Sequence, residues 1–289
     1  MTDAPLPTLG DFFGAWELFR DPVIAGVIAG VTLGWLGVYI VLRRMVFVSA
    51  ALSQSAGLGV ALAFYAQSVL GTTAWWGSPV IVATSVTLLT TALVARQEDG
   101  RWMSRESLLG CVYLVGAAGA LLVGTKIEQE AHDISAILFG TAVLVTSDDL
   151  VGLAWVSGTV MAVQAVAGRG FRFASFDRDG ARVRGLPVRL LDATLFASIA
   201  VIVSFATRVL GALPVFAFSV MPATAAVMLA PSVRSALVIA AVLGAISGAA
   251  GYVLAFLYAW PVGASQAAVA GSLVVVAALV RALLPAKRR

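Results

Sequence analysis

Within the apolar stretch 46–70, six residues break the hydrophobic run: Ser49, Ser53, Gln54, Ser55, Gly57 and Gly59. At helical spacing Ser49, Ser53 and Ala56 fall near one face. An amide placed in lipid has to find hydrogen-bond partners, so Gln54 is expected to face protein. Two roles fit these residues. They line a substrate pathway with hydroxyls and an amide, or they make an interhelical hydrogen bond that serves packing alone. Composition by itself favours packing.

Two other segments carry reactive types. Residues 126–133 read KIEQEAHD, and Glu128, Glu130, His132 and Asp133 are potential metal ligands. The chain has one histidine, so no second imidazole completes a site, and a solvated loop is the expected reading. Residues 168–189 form the most polar part of the chain and include FDRDGARVRGLP at 176–187. There Asp177 and Asp179 precede Arg182 and Arg184, the order that suits the dipole of a short helix. Apolar Phe176, Val183 and Leu186 among these charges suit docking onto a partner. The bland alternative is a basic loop with no partner.

Hydroxyls at Thr84, Ser85, Thr87, Thr90 and Thr91 are expected to bond their own helix carbonyls. Arg208 and Gln164, each near a helix end, are expected to snorkel. No G-x-x-x-x-G-K-[ST] phosphate loop occurs, so ATP hydrolysis would need another chain. No nucleophile, base and orienting group fall together. Catalysis is not expected and no cofactor is implied. The single Cys111 excludes a disulfide framework or cysteine metal cluster within one chain.

These residues must be positioned by membrane helices. Of 289 residues, 60% are hydrophobic and 12% charged, against about 25% charged in soluble domains. A bilayer core about 30 Å thick needs about 20 apolar helical residues. Nine segments qualify: 22–42, 46–70, 78–95, 107–123, 150–167, 190–209, 214–230, 235–258 and 264–284. The seventh is short and reads as one helix or two half-helices. Residues 134–146 are apolar but short, and are expected to be re-entrant or to lie on the surface. The fold class is all-α: one polytopic transmembrane helical bundle over residues 1–289, of about nine spans. Gly26, Gly30 and Gly34, and then Gly244 and Gly248, recur at four-residue spacing, which lets helix backbones approach closely.

Charge sets the expected orientation. If odd spans run outside to inside, all of the 19 Lys and Arg except Arg20, Lys126 and Arg208 lie inside. That puts the N-terminus outside and the C-terminus in the cytoplasm. Residues 1–20 become an extracytoplasmic segment without the features of a cleavable signal peptide, and 168–189 a cytoplasmic loop. The formal charge of +4 then reflects topology, and no nucleic-acid partner is expected.

The sequence resembles the permease subunits of bacterial ABC importers for zinc, manganese and iron. Five blocks in order carry the resemblance: GWLGVYIVLRRMVFVSAALSQSAGLGVALAF at 34–64, ILFGTAVLVTSDDL at 137–150, FDRDGARVRGLPVRLLDATL at 176–195, LGALPVFAFSVMPATAAVMLA at 210–230 and YAWPVGASQAAVAG at 258–271. The resemblance implies a multi-pass protein of the bacterial cytoplasmic (inner) membrane that works by alternating access. It implies as partners a second permease copy (a homodimer), cytoplasmic ATPase subunits and an extracytoplasmic metal-binding protein, with membrane lipid around the permease itself. It makes 176–187 the coupling helix, with Phe176, Asp177, Arg178, Arg182, Arg184 and Gly185 as its ATPase-coupling residues. Ser49, Ser53 and Gln54 are the substrate-pathway candidates.

Two departures bear on the cargo. Gln54 stands where the family usually has histidine, and Ala259 where it usually has an acidic residue before Trp260-Pro261. An amide is a weak ligand for a divalent metal, so any intramembrane metal site is weaker or differently built, and no metal ligand is assigned. The alternatives are a permease for a metal chelate such as a siderophore or cobalamin, an ion-gradient secondary transporter, or a structural membrane protein. The second needs a carboxylate or histidine at mid-membrane depth, and the sequence offers essentially none.

Overall fold

The computed structural model describes residues 7–70, 77–96, 104–126 and 145–283. Every regular element among them is a helix: α1 (Leu9–Gly14), α2 (Trp16–Leu42), α3 (Val46–Leu70), α4 (Pro79–Arg96), α5 (Arg105–Gly124), α6 (Ser147–Phe176), α7 (Arg178–Val183), α8 (Val188–Leu210), α9 (Ala212–Leu229), α10 (Val233–Tyr258) and α11 (Val262–Leu283). Nine of these described helices, all but α1 and α7, are long and apolar enough to cross a bilayer. The expected helix at 134–146 lies outside the described residues except for Val145 and Thr146. So do residues 127–133 of the acidic segment.

Side-chain caps set several starts. Thr8 and Asp11 form a reciprocal capping box on α1. The Thr8 backbone and hydroxyl hydrogen bonds hold the Asp11 carboxyl below the usual carboxylate range. Ser104, Thr146 and Ser232 cap α5, α6 and α10 by accepting from the backbone three residues on.

Three boundaries differ from the sequence expectation. The first span begins at Trp16, with Pro22 inside it, although proline at a first turn suggested a start at residue 22. Aromatic packing explains the extension. Phe19 lies 4.9 Å from Phe256 and stacks on Phe12 at 5.3 Å, ring centroid to ring centroid. The preceding turn is thereby drawn onto α10, and residues 9–14 and 16–21 are helical. The fifth span runs on to Phe176 instead of ending at Ala167, because Gly170 is packed beneath Leu191 of α8 rather than marking a loop. The seventh span, 214–230 by sequence, is one helix, α9 (Ala212–Leu229), with Pro222 inside it, and not two half-helices.

The core is a seam between α2 and α10. A Cβ at Gly30 would lie 2.2 Å from the Gly244 carbonyl oxygen, and one at Gly26 would lie 3.4 Å from that of Gly248. Gly34 faces Ala240 in the same way, at 2.5 Å. The two glycine ladders seen in sequence are thus each other's partners, running antiparallel. Dispersion between close backbones holds such helices together where lipid supplies no hydrophobic drive. α9 packs on α2, α10 and α11, and α3 packs on α4, α5 and α8.

Arginines gather at one end. Arg43 and Arg44 of the α2–α3 turn, Arg105 of α5 and Arg178 of α7 all line one cavity of about 320 Å³. At the opposite ends of these helices, Arg208 of α8 pairs with Asp149 of α6 at 2.9 Å, and Ser147 donates to Asp21 of α2 at 3.2 Å. Arg208 is therefore ion-paired rather than simply snorkelling. Gln164 does not snorkel either. It is 2% exposed, because the extended α6 leaves it well inside the helix, facing protein.

Candidate functional site

α3, α5 and the start of α9 enclose a cavity of about 260 Å³ lined by Ser53, Gln54, Tyr113, Ala117, Leu213 and Phe216 among others. α3 is pressed against α5 at this depth, since a Cβ on Gly116 would lie 2.9 Å from the backbone carbon of Gln54. That close approach sets where the Gln54 side chain can go. Its Oε1 is buried and has no hydrogen-bond partner among the described residues. In a low-dielectric interior an acceptor in that condition is costly, so it is suited to receive a donor that is not part of the fold.

The three pathway candidates do not share a position. Ser53 lines the cavity, although its hydroxyl also donates to the Ala50 carbonyl at 2.9 Å. Ser49 is fully buried, donates to the Val46 carbonyl at 2.9 Å and is not among the lining residues. Its role is internal to α3. Gly116 and Tyr113 join the site, and sequence reasoning missed both. Gly116 looks like any glycine of a membrane helix, and only its contact with Gln54 distinguishes it.

No residue lining this cavity is a carboxylate, imidazole or thiol. Among the described residues no group of three His, Cys, Asp or Glu comes together at all. Cys111 of α5 is exposed and free. The cavity thus offers hydrogen bonds and apolar walls, not strong metal coordination.

The second candidate region is α7 with its flanks. Ala181 is completely buried against Ala174 and Val188, which fixes α7 to the ends of α6 and α8. Asp177 caps α7, its Oδ1 accepting from the Gly180 amide at 2.8 Å. The helix stops where Gly185 takes φ +73°, while the Leu186 amide reaches back to the Ala181 carbonyl at 3.0 Å. That left-handed stop is the reason a glycine stands there.

The six coupling candidates divide into an outward set, an inward set and Arg184, which belongs to neither. Phe176 and Arg182 project outward, with Val183 beside them at 89% exposure and Asp179 paired to Arg182 at 3.1 Å. Asp177, Arg178 and Gly185 act on the chain itself, as cap, internal ion pair and stop. Arg184 lies over the Phe173 ring at 4.8 Å. The outward set leaves an apolar knob ringed by charge, the form suited to a protein partner. The inward ion pair joins Arg178 to Asp192, near the start of α8.

The bundle, with nine membrane-length helices among its described residues, has relatives among known proteins. The family model for the ABC 3 transport family matches residues 15–281. The chelated iron transport system membrane protein YfeD of Yersinia pestis is 25% identical over 244 residues, covering 84% of this chain and 78% of that protein. The manganese transport system membrane protein MntC of Halalkalibacterium halodurans is 24% identical over 259 residues, covering 90% and 86%. Among solved structures, PsaBC from Streptococcus pneumoniae in complex with Fab superposes with a TM-score of 0.81 at 21% identity, over 92% of this chain and 93% of that one. That likeness is one of fold, spanning the whole bundle. The family match over nearly the full length places this membrane-spanning chain in the ABC 3 transport family.

Proposed function

We propose that the chain is the membrane-spanning subunit of an ATP-driven importer that carries a divalent transition metal across the bacterial cytoplasmic membrane. Membership of the ABC 3 transport family over residues 15–281 carries the reading. The named metals of the relatives, manganese and iron, supply the cargo class, and zinc belongs to the same class. The absence of a phosphate-binding loop in the sequence assigns ATP hydrolysis to a cytoplasmic partner. α7, through Phe176, Arg182 and Val183, is the surface that partner engages. A second copy of the permease completes the pathway, and an extracytoplasmic binding protein delivers the metal. The arginine-rich end faces the cytoplasm, as the distribution of basic residues requires.

In this mechanism ATP binding draws the partner ATPases together and shifts α7. The bundle alternates between two packings that open the path to one side or the other, and each nucleotide state favours one of them. The cavity at Gln54 is a waypoint. Moving a bare ion from water into a low-dielectric interior costs on the order of 20 kcal/mol even for a single charge. Without carboxylate or imidazole lining, the cavity must therefore admit the metal with a shell of water or chelating ligand. At about 30 Å³ of liquid volume per water, its 260 Å³ has room for such a shell. Ser53 and Gln54 hydrogen-bond the shell rather than the ion.

ATP hydrolysis by the reconstituted complex tests the reading. Manganese, iron or zinc, added with the binding protein, should stimulate hydrolysis above its basal rate, and no stimulation by any of them counts against the reading. The same assay tests the waypoint. Gln54→His puts an imidazole, a strong metal ligand, in the cavity. The metal concentration giving half-maximal stimulation should shift about tenfold, the effect of a ligand contributing about 1.4 kcal/mol, while the complex still assembles. An unaltered metal profile would remove Gln54 from the pathway.

A further inference from the structure

Asp192 sits in the second turn of α8, 9% exposed, the one carboxylate of a helix otherwise apolar or small apart from its hydroxyl side chains and Arg189 and Arg208 near its ends. Its two oxygens face different parts of the chain. Oδ1 accepts from Arg43 Nη1 at 2.5 Å, and Oδ2 accepts from Arg178 Nη2. Arg43 is the residue that ends α2, and its Nε donates to Ser175 Oγ at 3.0 Å near the end of α6. Ser175 in turn donates to the Phe171 carbonyl at 2.6 Å. One carboxylate thus ties the α2–α3 turn, the end of α6, the first residue of α7 and the start of α8.

The two arginines differ in setting. The Arg43 side chain is 10% exposed and that of Arg178 is 61% exposed. Arg43 hydrogen-bonds only one of the carboxylate oxygens, so the other is available to hold α7. Both structures that Asp192 grips lead toward the cavity at Gln54. The α2–α3 turn runs directly into α3, which carries Ser53 and Gln54. α8 packs on α3 and on α4, and it shares a hydrogen bond with α4 through the hydroxyls of Ser204 and Thr84 at 3.0 Å. Apart from Asp192, α7 is held by its connecting peptides, by the small cluster of Ala174, Ala181 and Val188, and by Arg184 over the Phe173 ring.

We infer that Asp192 is a positioning residue that locks α7 to the α2–α3 turn and to α8, so that a push on α7 displaces the helices beside the Gln54 cavity instead of tilting α7 alone. The inference rests on the importer reading above. It assigns Arg178 to this internal tether and leaves Arg182 and Phe176 for the partner.

The test uses the full chain in complex with its ATPase, with three variants: Asp192→Asn, Arg178→Gln and Arg178→Lys. Asp192→Asn leaves buried Arg43 without its counter-charge and can cost folding. Arg178→Gln keeps the Asp192–Arg43 pair and so separates the tether from stability. Two quantities are measured: amide hydrogen exchange over 177–187, and metal taken up per ATP hydrolysed in proteoliposomes. In Arg178→Gln, exchange over 177–187 should speed up. Uptake per ATP should fall about tenfold, within the range usual for coupling between sites, while the ATPase still co-purifies. Arg178→Lys, which keeps the charge, should restore both. Unchanged exchange would overturn the tether. Faster exchange with unchanged uptake per ATP would overturn the coupling role and reduce Asp192 to a structural anchor. Loss of the ATPase from Arg178→Gln would overturn the inference in favour of direct docking. Absence of ATP-driven uptake in the unaltered complex would instead sink the importer reading, and the exchange result would stand apart from it.

Discussion

Gly30→Leu should abolish recovery of folded protein from the membrane. At Gly30 even a Cβ would meet the Gly244 carbonyl oxygen at 2.2 Å and its carbon at 2.6 Å. Both atoms belong to backbone, so neither can turn aside. The helices would have to part along the seam, and the contacts of Gly26 with Gly248 and of Gly34 with Ala240 would open with them. A single methyl in a packed core costs about 1–3 kcal/mol, against a total stability of about 5–15 kcal/mol. Gly30→Ala should therefore survive with a Tm lower by about 5 °C, taking about 2–4 °C per kcal/mol for a long chain. Leucine adds three more carbons to the same clash. Gly158→Ala is the control, because nothing lies within 4 Å of a Cβ there. Size-exclusion profiles and thermal unfolding of the three variants decide the matter. A monodisperse Gly30→Leu with wild-type Tm would mean that the α2–α10 seam is not packed as described.

The second large effect concerns the proposed docking surface, α7. If α7 is the docking element, Arg182→Glu together with Arg184→Glu should cut the ATPase recovered with the permease by at least about tenfold, because reversing two charges spoils the complementarity of an interface at a cost of several kcal/mol. The two positions contribute differently. Arg182 is exposed, so its reversal acts on the partner and also breaks its pair with Asp179. Arg184 lies over Phe173, so its reversal also removes a cation–π contact worth about 0.5–1 kcal/mol at an exposed site. Arg182→Glu alone should thus weaken docking without loosening α7. The loss should deepen at low salt, where charge repulsion is least screened. Undiminished recovery of the ATPase with the double variant would remove α7 as the docking element.

Much of this architecture could be read from sequence because lipid leaves a chain few choices. Spans must be helices of about 20 apolar residues, and the structure has nine of that kind among the described residues, close to the segments drawn from hydropathy. Helix ends were harder to read. The first span starts early because Phe12, Phe19 and Phe256 cluster, and the fifth ends late because Leu191 covers Gly170. Each cause is a contact between segments far apart in the chain, with no local signal. The glycine ladders were visible as spacing, but that they face each other was not.

The site was half legible. Gln54 and Ser53 announced themselves as polar residues in an apolar run, and the structure places both on one cavity. Ser49 has the same type and spacing, and like Ser53 it bonds its own helix, yet it does not line the cavity. Which way a small polar side chain faces depends on the neighbouring helix, here on Gly116 of α5. Arg178 read as one more docking charge in a basic segment. Its bond to Asp192 could have been suspected, because a lone carboxylate in an apolar segment needs a partner, but several arginines nearby were equally eligible. Arg43 read only as topology.

The most direct test of the central claim is metal uptake by proteoliposomes containing this chain, its partner ATPase and the binding protein, measured with and without ATP enclosed on the ATPase side. Uptake of manganese, iron or zinc that requires ATP, and that stops when the ATPase cannot hydrolyse it, is the predicted result. Uptake by this chain alone under a proton or sodium gradient, with no dependence on ATP, would contradict it.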